Sequence, residues 1–230
     1  MPASFELEAL KAQAIAARSY AYKKLETKNH DKADLCTDIN HCQAWREADA
    51  TENYQKVAQA VKETQGKIAL YNGEIINAVY HASSGGFTED AVNVWNTGEA
   101  YLSTVESPNE EEIMKDFNTQ VTITKKEFLK QLNLSKLKKL KILSRTVGKR
   151  VKEININDKI FTGNEIRKIF NLRSSNFEVF CKNDDIIFEV RGYGHGVGLS
   201  QWGAQAMALE GKTAEEIIQH YYTGVELQIM

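Results

Sequence analysis

Apolar side chains recur at helical spacing almost from the first residue. Between Phe5 and Leu25 the positions Leu7, Leu10, Ala14, Ala17, Ala21 and Leu25 follow a 3.6-residue period, which predicts a helix. Ser4 is placed to cap its start, and Glu6 and Glu8 occupy the first turn, where the helix dipole favours anions. Its many alanines suit the close approach of a neighbouring element. A second amphipathic helix is predicted from Ala48 to Gly66, with Val57, Ala60 and Val61 on one side and Gly66 as its stop. The period then shortens. Lys67 to Tyr80 reads as two strands about Asn72-Gly73, the strongest short hairpin signal, and a Ser-Ser-Gly-Gly loop follows at Ser83 to Gly86. From about Glu110 to Asp185 the chain turns Lys-rich, with short strands and helices such as Lys125 to Leu132 and Gly163 to Phe170. Ile186 to Val190 is a strand, Gly192 to Gly198 a glycine-rich turn, and Gln201 to Leu209 and Ala214 to Tyr222 two closing helices. No repeat recurs at a fixed period.

Composition narrows the class. The chain has 230 residues, 42% apolar and 26% charged, with a net charge of -2, so it can bury a core and is not marked as a nucleic-acid binder. Two prolines argue against a linker-dominated chain. No apolar run is long enough to cross a bilayer and no signal-peptide pattern opens the chain, so a cytosolic reading follows if Met1 is the natural start. The chain enters its first helix with no lead-in, and a trimmed fragment is the expectation. Of three cysteines, Cys36 and Cys42 lie close together and Cys181 is remote, which reads as a local pair plus one buried thiol.

Four groupings can carry chemistry. Glu8 shares a helix face with Ala12, Ile15 and Ser19, and a carboxyl desolvated by such neighbours would stay protonated, as a general acid for a glycosidic oxygen must. The alternative is a solvated first-turn glutamate paired with Lys11. His30, Cys36, His41 and Cys42 offer two imidazoles and two thiolates, a tetrahedral zinc set, with Asp34 and Asp38 available to orient the rings. A Cys36–Cys42 disulfide is the competing arrangement. In Tyr193-Gly-His-Gly-Val-Gly-Leu-Ser-Gln-Trp-Gly-Ala204, alternate glycines allow a ligand close to the backbone and present His195, while Tyr193 and Trp202 offer faces for a sugar ring. The phosphate-loop fingerprint is not met. Finally, Ser83, Ser84 and Thr88 stand in a polar loop without a nucleophile elbow, so substrate contact is expected of them rather than covalent catalysis.

Four stretches together resemble the stage II sporulation protein D and amidase-enhancer family: Glu8 to Tyr20, His41-Cys42-Gln43, Ser83 to Gly86 with Thr88-Glu89, and Gly192 to Ala204. The resemblance implies a peptidoglycan lytic transglycosylase that cleaves the MurNAc–GlcNAc bond of denuded glycan strands and closes a 1,6-anhydro ring, during engulfment. It implies a cell-wall amidase and a membrane partner of the engulfment machinery, no nucleic acid, and a membrane-anchored, extracytoplasmic place at the sporulation septum, the anchor being absent from this chain. The Cys/His loop resembles that of clostridial members, which implies structural zinc. Four protein ligands leave no open position, which speaks against a metal-dependent hydrolase. The family also carries a glutamate directly before Met-Pro, a further candidate for the acid. A non-catalytic glycan-binding or amidase-activating module is the alternative function.

The architecture expected is α+β, an Ala-rich helix and mixed strands around a long substrate groove. Residues 1–110 and 186–230 are expected to form the core, with 111–185 a smaller inserted α/β subdomain. Glu8 and His195 are the expected catalytic groups, meeting the Ser83 loop on the groove. Tyr20, Gln43, Ser83, Ser84, Thr88, Tyr193, Ser200 and Gln201 are the expected substrate contacts.

Overall fold

The computed structural model describes residues 1–26, 30, 33–38, 41–44 and 52–230. In chain order the elements are α1 (Leu7–Leu25), α2 (Glu52–Glu63), β1 (Lys67–Tyr71), β2 (Glu74–Ile75), β3 (Tyr80–His81), α3 (Val92–Trp95), α4 (Glu110–Ile113), β4 (Asn118–Thr124) and α5 (Lys125–Gln131). There follow β5 (Leu140–Arg145), β6 (Val151–Ile156), β7 (Lys159–Thr162), α6 (Gly163–Ile169), β8 (Phe177–Lys182), β9 (Asp185–Arg191), β10 (Leu199–Ser200), α7 (Gln201–Leu209), α8 (Ala214–Tyr221) and β11 (Glu226–Ile229). The fold is α+β. Its two units are Met1–Tyr80 with Gly198–Met230, and His81–Val197. The second unit is wider than the expected insertion at 111–185. Ser83 and Tyr193 exchange both backbone hydrogen bonds at 2.9 Å, and Phe87 bridges Glu106, so the flanking segments fold with the Lys-rich stretch although their composition differs from it.

In the first unit, α1 buries Ala9, Leu10, Ala12, Ile15, Ala16 and Ser19. Small side chains on that face let α2, α7, α8 and β1 pack close to it. Ser19 replaces an apolar group without leaving a polar atom unpaired: its hydroxyl donates to Ile15 C=O (2.8 Å) and accepts from Ala69 N–H (2.9 Å), tying α1 to β1. Ser4 does not cap α1. The cap position is Glu6, whose side chain makes no cap bond, and its backbone N–H donates instead to Gln205 Oε1 at 2.7 Å. The second helix is seen from Glu52, and the expected start, Ala48 to Thr51, lies outside the described residues.

Asn72 and Gly73 have φ of 52° and 82°, the left-handed pair a type I′ turn requires. The return strand is shorter than its sequence suggests. Leu70 faces Ile75 and Tyr71 faces Glu74, but at Val79 the N–H turns back to Asn77 C=O and breaks the ladder. The other edge of β1 is taken by β11, with Lys67 opposite Ile229. Ile68, Ile76, Leu199, Ile217, Ile218, Tyr221 and Tyr222 complete the core of this unit. The Tyr222 hydroxyl donates to Val79 C=O at 2.8 Å.

The second unit holds two antiparallel three-stranded sheets, ordered β4-β9-β8 and β5-β6-β7. Phe128, Phe170, Phe177 and Phe188 are buried with Ile154, Ile156, Ile166 and Ile186. Phe128 stacks on Phe170 at 5.0 Å, and Phe177 meets Phe188 edge-on at 5.5 Å. Each such ring contributes about 1.5–3 kcal/mol by burial. Thr162 and Glu165 form a capping box at the start of α6. Cys181 is exposed, not the buried thiol expected, because burial fades along β8 beyond Phe177.

Candidate functional site

Glu8 is the first expected catalytic group, and its surroundings reverse the argument made from sequence. Its Oε1 accepts from Lys11 Nζ at 2.8 Å, and its Oε2 accepts from the backbone N–H of Ala214 at 2.8 Å. Ala214 is the first residue of α8, so Glu8 satisfies an end N–H of a helix that Thr213 and Glu216 also cap. Lys11 in turn reaches Glu63 at 2.5 Å. Burial pushes the Glu8 carboxyl up, but the Lys11 hydrogen bond, the Ala214 N–H and the Lys11 charge outweigh it and hold the carboxyl below its ordinary value. The expected protonated acid is therefore an ionised carboxylate in this arrangement. The small, apolar face read beneath it is real: Ala12, Ile15 and Ser19 are all buried.

His30, Cys36, His41 and Cys42 come together, as four good ligands in one polar loop suggest, although their spacing is not that of a standard zinc finger. Their ligand atoms all lie within 4.8 Å of one another. Cys42 Sγ is 3.2 Å from His30 Nε2 and 3.3 Å from His41 Nδ1, and Cys36 Sγ is 3.5 Å from the same nitrogen. A tetrahedral zinc site with bonds of about 2.0–2.3 Å has edges of about 3.3–3.8 Å. This donor set fits such an ion in chemistry, its separations of 3.2, 3.3 and 3.5 Å match the size, and the wider ones, up to 4.8 Å, would close on the ion. The adjacent His41 and Cys42 are turned by Asp38, whose C=O accepts both backbone N–H groups. Cys36 and Cys42 are free thiols with no bond between them. Next to the cluster, Gln43 Nε2 donates to Ala17 C=O on α1 at 2.8 Å, and its Oε1 accepts from the Tyr80 hydroxyl at 3.2 Å. Burial and then the two cysteines push the Tyr20 phenol up, and burial with Tyr20 beside it pushes Tyr80 up to about 12. Gln43 thus ties the Cys/His loop to α1.

Ser200 caps α7, accepting from Gly203 N–H at 3.2 Å, and is fully buried; it is a structural group rather than the expected substrate contact. Gln201 Nε2 donates to Gln13 Oε1 at 2.9 Å. Trp202 packs edge-on to the buried Phe5 at 4.7 Å. Tyr193, in the second unit, is exposed, with the Arg173 guanidinium 4.5 Å over its ring.

Ser83, Ser84 and Thr88 were expected to touch substrate, and each has no exposed surface. Both serine hydroxyls and the Ser84 N–H donate to the carboxylate of Glu110, and Ser107 Oγ joins them at 2.6 Å. Thr88 Oγ1 donates to Ser103 C=O and accepts from Val105 N–H. The same buried region holds Arg150, whose guanidinium donates to the carbonyls of Ser84 (2.7 Å), Phe87 (2.9 Å) and Gly148 (3.3 Å). Burial pulls Arg150 down to about 10 against the opposing influence of Glu89 and Glu110, so it stays charged at neutral pH. Glu89 accepts from Asn93 Nδ2 at 2.8 Å and from the Thr146 hydroxyl. Sequence reasoning missed Glu110 and Arg150. The Ser107-x-x-Glu110 spacing was the one local hint.

This network explains the glycine run. A side chain at Gly196 would meet the Arg150 guanidinium, with Cβ 2.1 Å from Nη2, and one at Gly194 would lie 2.7 Å from His81 Cβ. The glycines admit the protein's own groups, not a ligand as expected. Next to Gly196, Val197 fixes two histidines. Its C=O accepts from His81 Nδ1 at 3.1 Å, and its N–H donates to His195 Nδ1 at 3.1 Å. A carbonyl can only accept and an amide N–H only donate, so neutral His81 carries its proton on Nδ1 and neutral His195 on Nε2. Their rings are 5.5 Å apart, and Trp95, also missed in the sequence, lies 5.1 Å from His195. Burial first, then His195 and Arg150, hold His81 well below its ordinary value. Glu8 and Gln201 belong to the first unit; His195, Tyr193 and the Ser83 loop belong to the second.

The family model described as "Stage II sporulation protein" matches residues 1–71. The stage II sporulation protein D of Bacillus subtilis (strain 168) is 36% identical over 246 residues, covering 99% of this chain and 70% of that protein. That of Bacillus amyloliquefaciens is 35% identical over 242 residues, with the same coverage of both chains. A Bacillus subtilis amidase enhancer is 28% identical over 287 residues, 99% of this chain and 39% of that one. With so high an identity over nearly its whole length, the chain belongs to the stage II sporulation protein D family.

Proposed function

We propose that this chain is a peptidoglycan lytic transglycosylase acting on denuded glycan strands during engulfment. The observation that carries the reading is the 36% identity to a stage II sporulation protein D over 99% of the chain. The chemistry requires a carboxyl group that protonates the leaving glycosidic oxygen and then takes the proton of the muramyl C6 hydroxyl. That hydroxyl oxygen attacks C1 and closes the anhydro ring, so no water is consumed and no second carboxylate is needed, unlike in the two-carboxylate hydrolases. Glu8 is the candidate within this chain. Its ionised state suits the second half of that cycle; the first half requires the Lys11 and Ala214 contacts to loosen so that a proton is gained. His195, in its Nε2–H form, is the candidate for orienting the sugar.

A structural zinc ion held by His30, Cys36, His41 and Cys42 would staple the loop to α1 and take no part in bond cleavage. The partners of this reading are glycan strands, a cell-wall amidase and a membrane component of the engulfment machinery. Its place is the extracytoplasmic side of the sporulation septum. Peptide-free glycan strands incubated with the protein should release anhydromuramyl products detectable by mass spectrometry, and Glu8→Gln should abolish them. Undiminished cleavage by that variant removes Glu8 from the role.

The ionised state of Glu8 favours a second reading, a glycan-binding or amidase-activating module without its own cleavage activity. Binding to strands with no soluble product would establish it.

A further inference from the structure

Within the second unit, one large apolar side chain stands in the open beside a polar group held in a single chemical form. Trp95 is 42% exposed at the end of α3, a helix of four residues. So short a helix has little stability of its own, yet this one is tied down at several points. Asp90 Oδ1 accepts from Val92 N–H at 3.0 Å, Glu89 accepts from Asn93 Nδ2 at 2.8 Å, and Asn164 Nδ2 donates to Asn93 C=O at 3.2 Å. Asn96 closes the helix in the left-handed conformation with φ of 58°. The backbone that carries the exposed indole is thus held, and the indole lies 5.1 Å from the imidazole of His195, tilted 53° to it. Behind His195 stands the buried ring of His81, and the Val197 peptide groups set the proton position on both imidazoles.

We infer that Trp95 is the stacking platform of a sugar subsite and sets a pyranose ring against His195. The inference rests on the glycan-strand reading above. A pyranose presents C–H groups on its face and hydroxyl or acetamido groups on its rim. An indole supplies a large rigid surface for the first, and an adjacent imidazole of fixed tautomer supplies directional hydrogen bonding for the second. Because the helix that carries Trp95 and the imidazole of His195 are both held before the ligand arrives, less ordering entropy is lost on binding. The occupant is a neutral saccharide of the glycan strand, since the ring pair brings no fixed charge to a ligand.

The test is calorimetric titration of the intact protein with the N-acetylglucosamine tetramer and with peptide-free glycan fragments. Trp95→Ala should weaken binding about tenfold, Trp95→Phe should recover most of it, and Val92→Ala, at a second exposed apolar residue of the same helix, should bind as the parent does. Melting curves of all three variants identify any loss that comes from unfolding, and Trp95→Phe keeps the question answerable if Trp95→Ala does not fold. Equal affinity of Trp95→Ala and the parent overturns the inference and leaves the glycan reading standing. Failure of the parent itself to bind overturns both. Unchanged sugar affinity with reduced self-association in sedimentation would make this a protein contact surface and overturn the inference as well.

Discussion

The backbone of Gly196 lies against the guanidinium of Arg150, so closely that a methyl group there would fall 2.1 Å from Nη2 and 2.3 Å from Cζ. Arg150 is 2% exposed and binds three backbone carbonyls, so it cannot retreat without leaving them unpaired. Gly196→Ala should therefore destabilise the protein by about 3 kcal/mol or more, measured by urea denaturation. Gly86→Ala provides the comparison. Gly86 has φ of 102° but nothing within 4 Å of its missing Cβ, so only backbone strain of about 1–3 kcal/mol applies. Equal losses for the two variants would show that contact with Arg150 contributes nothing.

His81 gives the stability curve a signature near neutral pH. Its folded-state pKa lies well below 6.5, chiefly through burial, with His195, Arg150 and Arg167 also disfavouring the charged form against the favourable Val197 hydrogen bond. As pH falls below about 6.5 the unfolded chain gains a proton at this position and the native protein does not. Stability should then fall with decreasing pH, by up to about 1.4 kcal/mol per unit for this one group, until the native pKa is reached. Arg150, at about 10, stays charged throughout that window. His81→Asn retains an amide donor for Val197 and removes the titration. Denaturation midpoints between pH 7 and 5 should decline less for this variant; parallel declines would exclude His81 as the source.

Elements whose cause is local were readable in the chain. The helix α1, the Asn72-Gly73 turn and the Cys/His grouping each complete their argument within a few dozen residues and stand in the structure. The buried face of α1 (Ala9, Leu10, Ala12, Ile15, Ala16 and Ser19) nevertheless shares only Leu10 with the stripe read from sequence, and Leu25 is exposed. The buried polar network was not readable. Ser83, Ser84, Ser107, Glu110, Arg150 and Gly196 are drawn from segments far apart in sequence, and no period or spacing joins them. One of four arginines in a Lys-rich stretch, Arg150 looks like one more solvated cation, and Glu110 like the first of three solvated acids. For Glu8 the Lys11 partner was readable, but the second was not: the N–H that also holds the carboxylate is 206 residues away. Trp95 lies in a stretch with no periodicity to mark it.

The Cys/His cluster predicts a metal-dependent stability. Four ligands lie within 4.8 Å of one another in a polar loop that Gln43 ties to α1. With zinc bound, a strong chelator should lower the melting temperature, and stoichiometric zinc should restore it. Cys42→Ser should abolish both the metal content by elemental analysis and the chelator response. Cys181→Ser, at an exposed position outside the cluster, should change neither. A protein that retains full stability and no metal after purification in zinc-containing buffer would exclude the site.

Glu8→Gln is the substitution on which the catalytic reading turns, and its stability cost is predictable separately from activity. Glutamine retains a carbonyl oxygen for the Ala214 N–H and loses the charge that faces Lys11 and the start of α8. The ion pair is partly exposed, with the Glu8 side chain at 34%, so its loss should cost no more than about 1 kcal/mol. Glu8→Ala removes the acceptor too and should cost about 1–2 kcal/mol. The sign with pH follows from the lowered carboxyl: this stabilisation is full above about 4.5 and is lost as pH falls through the native value, so parent and Glu8→Gln should converge in strong acid. Glu8→Gln should therefore remain folded and cooperative at neutral pH. Loss of anhydromuramyl products in a variant with an intact melting transition then reports chemistry at Glu8, whereas equal loss of product and of fold would report only the missing anchor of α8.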